Sequence, residues 1–331
     1  MPFKIVRNDI VKMQTDAIVN AANVQLQKGG GVCGAIFKAA GTKKLQDACD
    51  KLGHLPVGGA VITKGYNLYA KHIIHAVGPI WRGGSYGEDK LLYDAYKNSL
   101  NIALENNIRS IAFPLIASGI YGYPKDKALR IAISAIGDFL LKNEMDVYLV
   151  VYEKESVLLS EKLFDKIEKY IDENYIEKTS RSMQSYDLQE AMYKDTYLED
   201  IPVDPNLKER SLDDLVSRKE ETFTEMLFRL IDEKGMTDVE VYKKANIDRR
   251  LFSKIRSDNN YTPSKVTAIA LSISLNLNLD ETYDLLKRAG YALSPSSIFD
   301  IIIEFFIKEE NYNIYEINEA LFSFDQNLLG A

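Results

Sequence analysis

Six short apolar runs recur through the first 175 residues, and helical stretches separate them. They are FKIV (Phe3 to Val6), DAIVNAA (Asp16 to Ala22), GAVITKG (Gly59 to Gly65), HIIHAV (His72 to Val77), SIAFPLI (Ser110 to Ile116) and DVYLVVY (Asp146 to Tyr152). Each is rich in valine or isoleucine and bounded by glycine, proline or charge, as buried strands are. Helices are predicted over Gly34 to Lys51, Asp89 to Asn106, Lys125 to Leu141 and Glu155 to Tyr175. Alternation of this kind predicts an α/β three-layer sandwich, with helices on both faces of one sheet, over residues 1–175. The pattern then stops. Residues 176–212 are polar and broken by Ile201-Pro202 and Asp204-Pro205, and read as a linker. Residues 213–331 read as helix throughout. Apolar positions Phe223, Met226, Leu227, Leu230 and Ile231 run to a stop at Gly235. Thr237 and Asp248 are N-cap candidates, and Thr262-Pro263 and Ser294-Pro295 open further helices.

Charge divides between the halves. The net charge is -7, but residues 181–331 hold 18 basic and 28 acidic residues, so the first half is slightly basic. Bulk electrostatic binding of nucleic acid is not expected of such a chain. Two cysteines make neither a disulfide framework nor a zinc spacing, and with three histidines no metal site is expected. No apolar run approaches the ~20 residues of a membrane span. A reducing cytoplasm is the expected location and no membrane partner is expected.

Two loops carry the chemistry. GGGVCGAIF (Gly29 to Phe37) puts three glycines directly before a helix, whose first turn presents unpaired N–H groups and a positive dipole end. SGIYGYP (Ser118 to Pro124) follows a strand and opens the next helix. In α/β sheets ligands sit outside the carboxyl ends of strands. Two such loops could clamp a diphosphate with backbone donors alone. Together with Asn8-Asp9-Ile10, NAAN (Asn20 to Asn23), GGGVCGAIFKAAG and IIHAVGPIW (Ile73 to Trp81), these motifs make the first half resemble a macrodomain, the ADP-ribose-binding module. The resemblance is collinear over about Met1 to Ile171.

The resemblance implies a ligand, ADP-ribose or an ADP-ribosylated protein, and no cofactor. It implies that Asp9 meets the adenine amino group with Ile10 beside it. Gly30, Gly31, Val32, Cys33 and Gly34 would wrap the diphosphate and distal ribose, with Asn20 and Asn23 in the site. Ser118, Gly119, Ile120 and Tyr121 would hold the other side, and Tyr152 would stack on adenine, a contact worth roughly 1–3 kcal/mol. Family members that hydrolyse ADP-ribosyl esters carry an acid and a histidine where this chain has Cys33 and Phe37. Phe37 can neither take a proton nor donate one. Cys33 reads as a small packing residue, since a bound diphosphate disfavours a thiolate beside it. Asn23 is then the remaining catalytic candidate for removing ADP-ribose, or an acyl group from acylated ADP-ribose, and the rival reading is a non-catalytic ADP-ribose-sensing transcriptional regulator or adaptor acting through the helical half. His72 and His75 read as structural.

Residues 222–291 resemble a helix-turn-helix domain of the phage-repressor type. Its second helix would read DNA. Lys243 to Arg256 holds six basic residues against Asp248, and Arg249, Arg250, Lys254 and Arg256 are the candidate DNA contacts. The apolar IFDIIIEFFI (Ile298 to Ile307) suggests an inter-domain or homodimer contact.

Overall fold

The computed structural model describes residues 3–151, 161–175 and 221–330. The expected linker and Tyr152 lie outside them. Six strands form one sheet: β1 (Phe3–Arg7), β2 (Ala17–Ala21), β3 (Ala60–Lys64), β4 (His72–Ala76), β5 (Ser110–Pro114) and β6 (Asp146–Val151). Their spatial order is β1-β6-β5-β2-β4-β3. All neighbours pair in parallel except β3, which runs antiparallel to β4 at the edge. Helices α1 (Gly31–Ala40) and α2 (Thr42–Leu52) cover one face, and α3 (Glu88–Glu105) and α4 (Lys125–Leu140) cover the other. The α/β sandwich expected from the alternation is present, with a mixed sheet.

The single helix expected over Gly34 to Lys51 is two. Gly41 holds φ +96 between them, outside the helical region, and ends α1 as it begins α2. The apolar stripe Cys33, Ile36, Phe37, Ala40 is buried on α1, as spacing of three and four requires of a helix facing a sheet.

The second half is helical. It comprises α6 (Phe223–Glu233), α7 (Asp238–Lys244), α8 (Arg249–Ser257), α9 (Lys265–Ser274), α10 (Leu279–Arg288), α11 (Ile298–Lys308) and α12 (Ile314–Ser323). Side chains cap every one of these at the N-terminus: Thr222, Thr237, Asp248, Ser264, Asn278, Ser297 and Asn313. Three are capping boxes, and each cap contributes about 1 kcal/mol. Thr262-Pro263 and Ser294-Pro295 therefore precede their helices by two or three residues rather than opening them. Helix α5 (Glu161–Asn174), which the alternation groups with the sandwich, packs elsewhere. Ile167 and Ile171 join the helical core, and Lys308 Nζ donates to the Tyr170 hydroxyl at 2.9 Å. Its apolar face packs against α11 in the core of the helical half.

The two halves touch through specific bonds. Asn246, in the turn after α7, adopts φ +54, a conformation that asparagine tolerates better than most residues. Its Oδ1 accepts the Phe3 N–H at 2.7 Å and its Nδ2 donates to the Phe3 carbonyl at 2.9 Å. One carboxamide thereby occupies the open side of edge strand β1, which would otherwise present unpaired groups. On the adjacent face Tyr315 of α12 lies over Gly137 of α4, where an added Cβ would stand 3.0 Å from its ring, and meets Phe3 edge-on at 5.6 Å. Beside it Glu319 is 3% exposed. Burial pushes its carboxyl up to about 8, against the pull of Arg130, so at neutral pH the interface buries an uncharged acid. Replacing Asn246 by alanine strands two backbone groups at this seam. A stability loss of about 1–3 kcal/mol is expected in urea unfolding, and an unchanged midpoint would mean that the edge strand is satisfied without Asn246.

Candidate functional site

The site is built where β2 and β5 end. After Ala21 the chain turns at Asn23, whose side chain organises the loop leading to the glycines. Its Oδ1 accepts the Gln25 and Gln27 N–H groups at 3.2 and 3.0 Å, and its Nδ2 donates to the Gln27 carbonyl at 2.8 Å. The chain then passes Gly29 and Gly30 into α1. Gly34 must be glycine, because a Cβ there would lie 2.7 Å from the Gly29 carbonyl oxygen, and Gly31 sits at φ +56. Helix α1 has no side-chain cap at Gly30, so its first-turn N–H groups remain for a ligand.

The opposite wall is the turn after β5. Ala117 takes φ +64, Ser118 Oγ donates to the Leu115 carbonyl at 2.8 Å, and the Gly122 and Tyr123 N–H groups close back on Gly119 and Ala117. Trp81 fixes the turn from outside. Its N–H donates to the Tyr121 carbonyl at 2.9 Å and its ring lies 4.6 Å from that of Tyr123. Glu88 holds the neighbouring 82–86 segment by accepting the N–H groups of Arg82, Gly84 and Tyr86. Burial raises the Glu88 carboxyl, but these backbone donors outweigh it and the net shift is downward.

Between the walls is a cavity of about 340 Å³, lined by Asn23, Gly29 to Cys33, Gly78, Leu115 to Ala117 and Gly119 to Tyr121. The two loops nearly meet above it, where a Cβ on Gly30 would stand 3.2 Å from Ile120 Cδ1. No lysine or arginine is among these lining residues. A phosphate held here would be held by backbone donors and the helix dipole.

Of the residues expected in the site, Asn23, Gly30, Gly31, Val32, Cys33, Gly119, Ile120 and Tyr121 line this cavity together. Gly34 stands just behind, against Gly29, and the Ser118 hydroxyl turns back to Leu115. Asp9 and Ile10 lie beyond the end of β1. Asp9 caps a short 3-10 helix by accepting the Val11 N–H at 3.1 Å, and Ile10 is buried. Asn20 does not line this cavity. It faces His75 across the β2–β4 register, is fully buried, and its Nδ2 lies 3.0 Å from His75 Nδ1. Strand alternation turns it into the layer beneath α1 and α2. Phe37 is there too, fully buried with its ring edge-on to His75 at 6.4 Å. The helical stripe that carries it is legible in the sequence and places it in the core. Cys33 Sγ accepts the Gly29 N–H at 3.4 Å, so the thiol serves the loop. Gly78, absent from the expected set, also lines the cavity, and its added Cβ would lie 2.7 Å from Ile116; the glycine just after strand HIIHAV was its signal.

Among the described residues no three histidine, cysteine or acidic side chains cluster as a metal site, and no helix is long and apolar enough to cross a membrane. In the helical half Arg249 and Arg250 are exposed at the start of α8. Lys254 lies 5.2 Å from the Tyr261 ring, and Arg256 pairs with Asp238 at 2.6 Å.

This fold and cleft define a class, an α/β module with a cavity walled by two small-residue loops at the strand ends. Comparison with known proteins gives the family. Residues 19–132 match the Macro domain model. A Macro domain-containing protein of Methanosarcina mazei is 51% identical over 167 residues, which is 50% of this chain and 89% of that protein. An O-acetyl-ADP-ribose deacetylase of Escherichia coli (strain K12) is 47% identical over 165 residues, 48% of this chain and 93% of that protein. A solved structure, the Oceanobacillus iheyensis macrodomain with MES bound, is 41% identical over 50% of this chain and 92% of its own, with a TM-score of 0.46. The chain belongs to the Macro domain family through its first half.

The polar group beneath the site sets a pH dependence. His75 is fully buried, and burial lowers its pKa to about 4. It is neutral when folded, while the unfolded chain takes up a proton near pH 6.5. Stability present above pH 6.5 is therefore lost as pH falls toward 4. Between pH 7.5 and 5 this amounts to about 2 kcal/mol. Urea unfolding of wild type and His75→Gln over that range should show a shallower pH dependence in the variant; parallel curves would mean that His75 does not titrate in the unfolded state alone.

Proposed function

We propose that the cavity between Gly29–Gly34 and Leu115–Gly122 binds ADP-ribose or an ADP-ribosyl group, and that this chain acts chiefly as a reader of it. The observation that carries the reading is the pairing of an uncapped helix N-terminus with a facing small-residue turn around a cavity free of cationic side chains. Backbone donors suit a diphosphate whose charge is shared over several oxygens. The names of curated relatives, O-acetyl-ADP-ribose deacetylases, support the ligand class.

Hydrolysis needs a group to orient or deprotonate water beside the bond that breaks. Asn23 supplies neither a base nor a free acceptor, because its Oδ1 already accepts two N–H groups. It retains one N–H with which to hold a ribose hydroxyl. Cys33 is occupied by its own loop, and Phe37 lies in the core. What remains is substrate-assisted attack, with a phosphate oxygen taking the proton, and it is expected to be slow.

The helical half is read as the reader's partner-facing or regulatory unit. A DNA contact would rest on Arg249 and Arg250 and would have to leave the turn at Asn246 in place on β1. The deciding experiment measures ADP-ribose release from a protein modified on glutamate, at excess substrate. Wild type should bind and release less than one equivalent in the time that Cys33→Asp, which puts a carboxylate on the cavity wall, completes several turnovers. Rapid multiple turnovers by wild type would overturn the reader assignment in favour of a hydrolase.

A further inference from the structure

We infer that Gln46, on α2 and outside the cavity, is a positioning residue that sets the glycine cradle for its ligand; the inference rests on the ADP-ribose reading above. Its carboxamide lies behind the loop that runs from Asn23 to Gly29. Oε1 accepts the Lys28 N–H at 3.0 Å, and Nε2 donates to the Leu26 carbonyl at 3.4 Å. These are the two bonds a neighbouring strand would make to residues 26 and 28. From the cavity side Asn23 bonds the Gln25 N–H and both backbone groups of Gln27. Successive backbone groups from Gln25 to Lys28 are thus taken in turn by two carboxamides on opposite sides. Leu26, at φ +55 and 1% exposed, plugs the loop into the core between them.

Gln46 is itself held. Its Nε2 donates to Asp50 Oδ1 at 2.8 Å, one helical turn on, and Gln27 Nε2 donates to the same oxygen at 3.1 Å. Asp50 therefore orients the amide so that its oxygen faces Lys28 and its nitrogen faces Leu26. Lys28 is followed directly by Gly29, so an error in the Lys28 plane passes into the cradle, where glycines offer no side chain to resist it. Without Gln46 the segment keeps Asn23 and Leu26 but loses its outer bracket, and Asn23 loses the fixed loop against which its own amide is set.

Gln46→Met keeps the length and volume of the side chain and removes both bonds. Gln46→Glu keeps an acceptor for Lys28, removes the donor to Leu26 and sets a second carboxylate against Asp50. ADP-ribose is titrated into each full-length protein by calorimetry, and amide hydrogen exchange is followed at Lys28 and in α3. The expected result is affinity about 10-fold weaker for Gln46→Met, a loss at least as large for Gln46→Glu, and faster exchange at Lys28 with α3 unchanged in both. Wild-type affinity in Gln46→Met, or unchanged exchange at Lys28, overturns the positioning role while leaving the ligand reading intact. Failure of wild type to bind ADP-ribose overturns the ligand reading and this role with it. Should Gln46→Met not fold, Gln46→Glu decides on the same two measurements.

Discussion

A loop that grips a phosphate with its backbone must leave N–H groups free toward the ligand and still not move. On the proposed function, that constraint governs the first half of this protein. Side-chain caps, the usual way to satisfy a helix N-terminus, are absent from α1, and glycines that would let the chain wander lead into it. Rigidity is supplied from the sides instead. Asn23 and Gln46 bracket residues 25–28, Leu26 anchors them in the core, and Gly34 packs against Gly29 more closely than any other residue could. The facing turn is held too, by the main-chain N–H of Trp81 on the Tyr121 carbonyl and by the Ser118 hydroxyl on the Leu115 carbonyl. Polar side chains near the site are spent on the scaffold, which is why so few are left for acid–base chemistry.

The same device recurs at the join between the halves. Asn246 pairs with both backbone groups of Phe3 across the join, and within the helical half Asn318 pairs likewise with Leu329. A carboxamide can imitate one peptide unit of a strand, so a helical body can finish an edge that the sheet leaves open. Gly137 under Tyr315 adds shape to that bond. The elements gripped are β1 and α4. At their far ends these lead to Asp9 and from the Tyr121 turn respectively. Of the two, α4 follows the turn that walls the cavity, and its contact with Tyr315 lies at the end away from that turn.

Much of the fold and the cleft is readable in the residues. The glycine run and SGIYG are local signals, since small residues before a helix have few other uses, and the alternation of strands and helices points to the sandwich. What escapes depends on register and on three-dimensional neighbours. The placement of Asn20 requires knowing that it faces His75 across β4. Phe37 reads as a missing histidine, although its spacing from Cys33, Ile36 and Ala40 marks the buried face of α1. Helix α5 comes after a strand like the helices before it, and nothing in its own amphipathic pattern says that its partner is α11 rather than the sheet. Gln46 looks like any polar residue on an amphipathic helix, and nothing in the sequence links it to Lys28, eighteen positions away.

The proposed ligand site is the cleft between the two glycine-bearing loops. The most direct test is a titration of the isotopically labelled full chain with ADP-ribose, read amide by amide in solution. Saturable shifts at Gly29 to Gly34 and at Ala117 to Gly122, with a one-to-one endpoint, are the predicted result. No shifts, or shifts confined to the helical half, would contradict it.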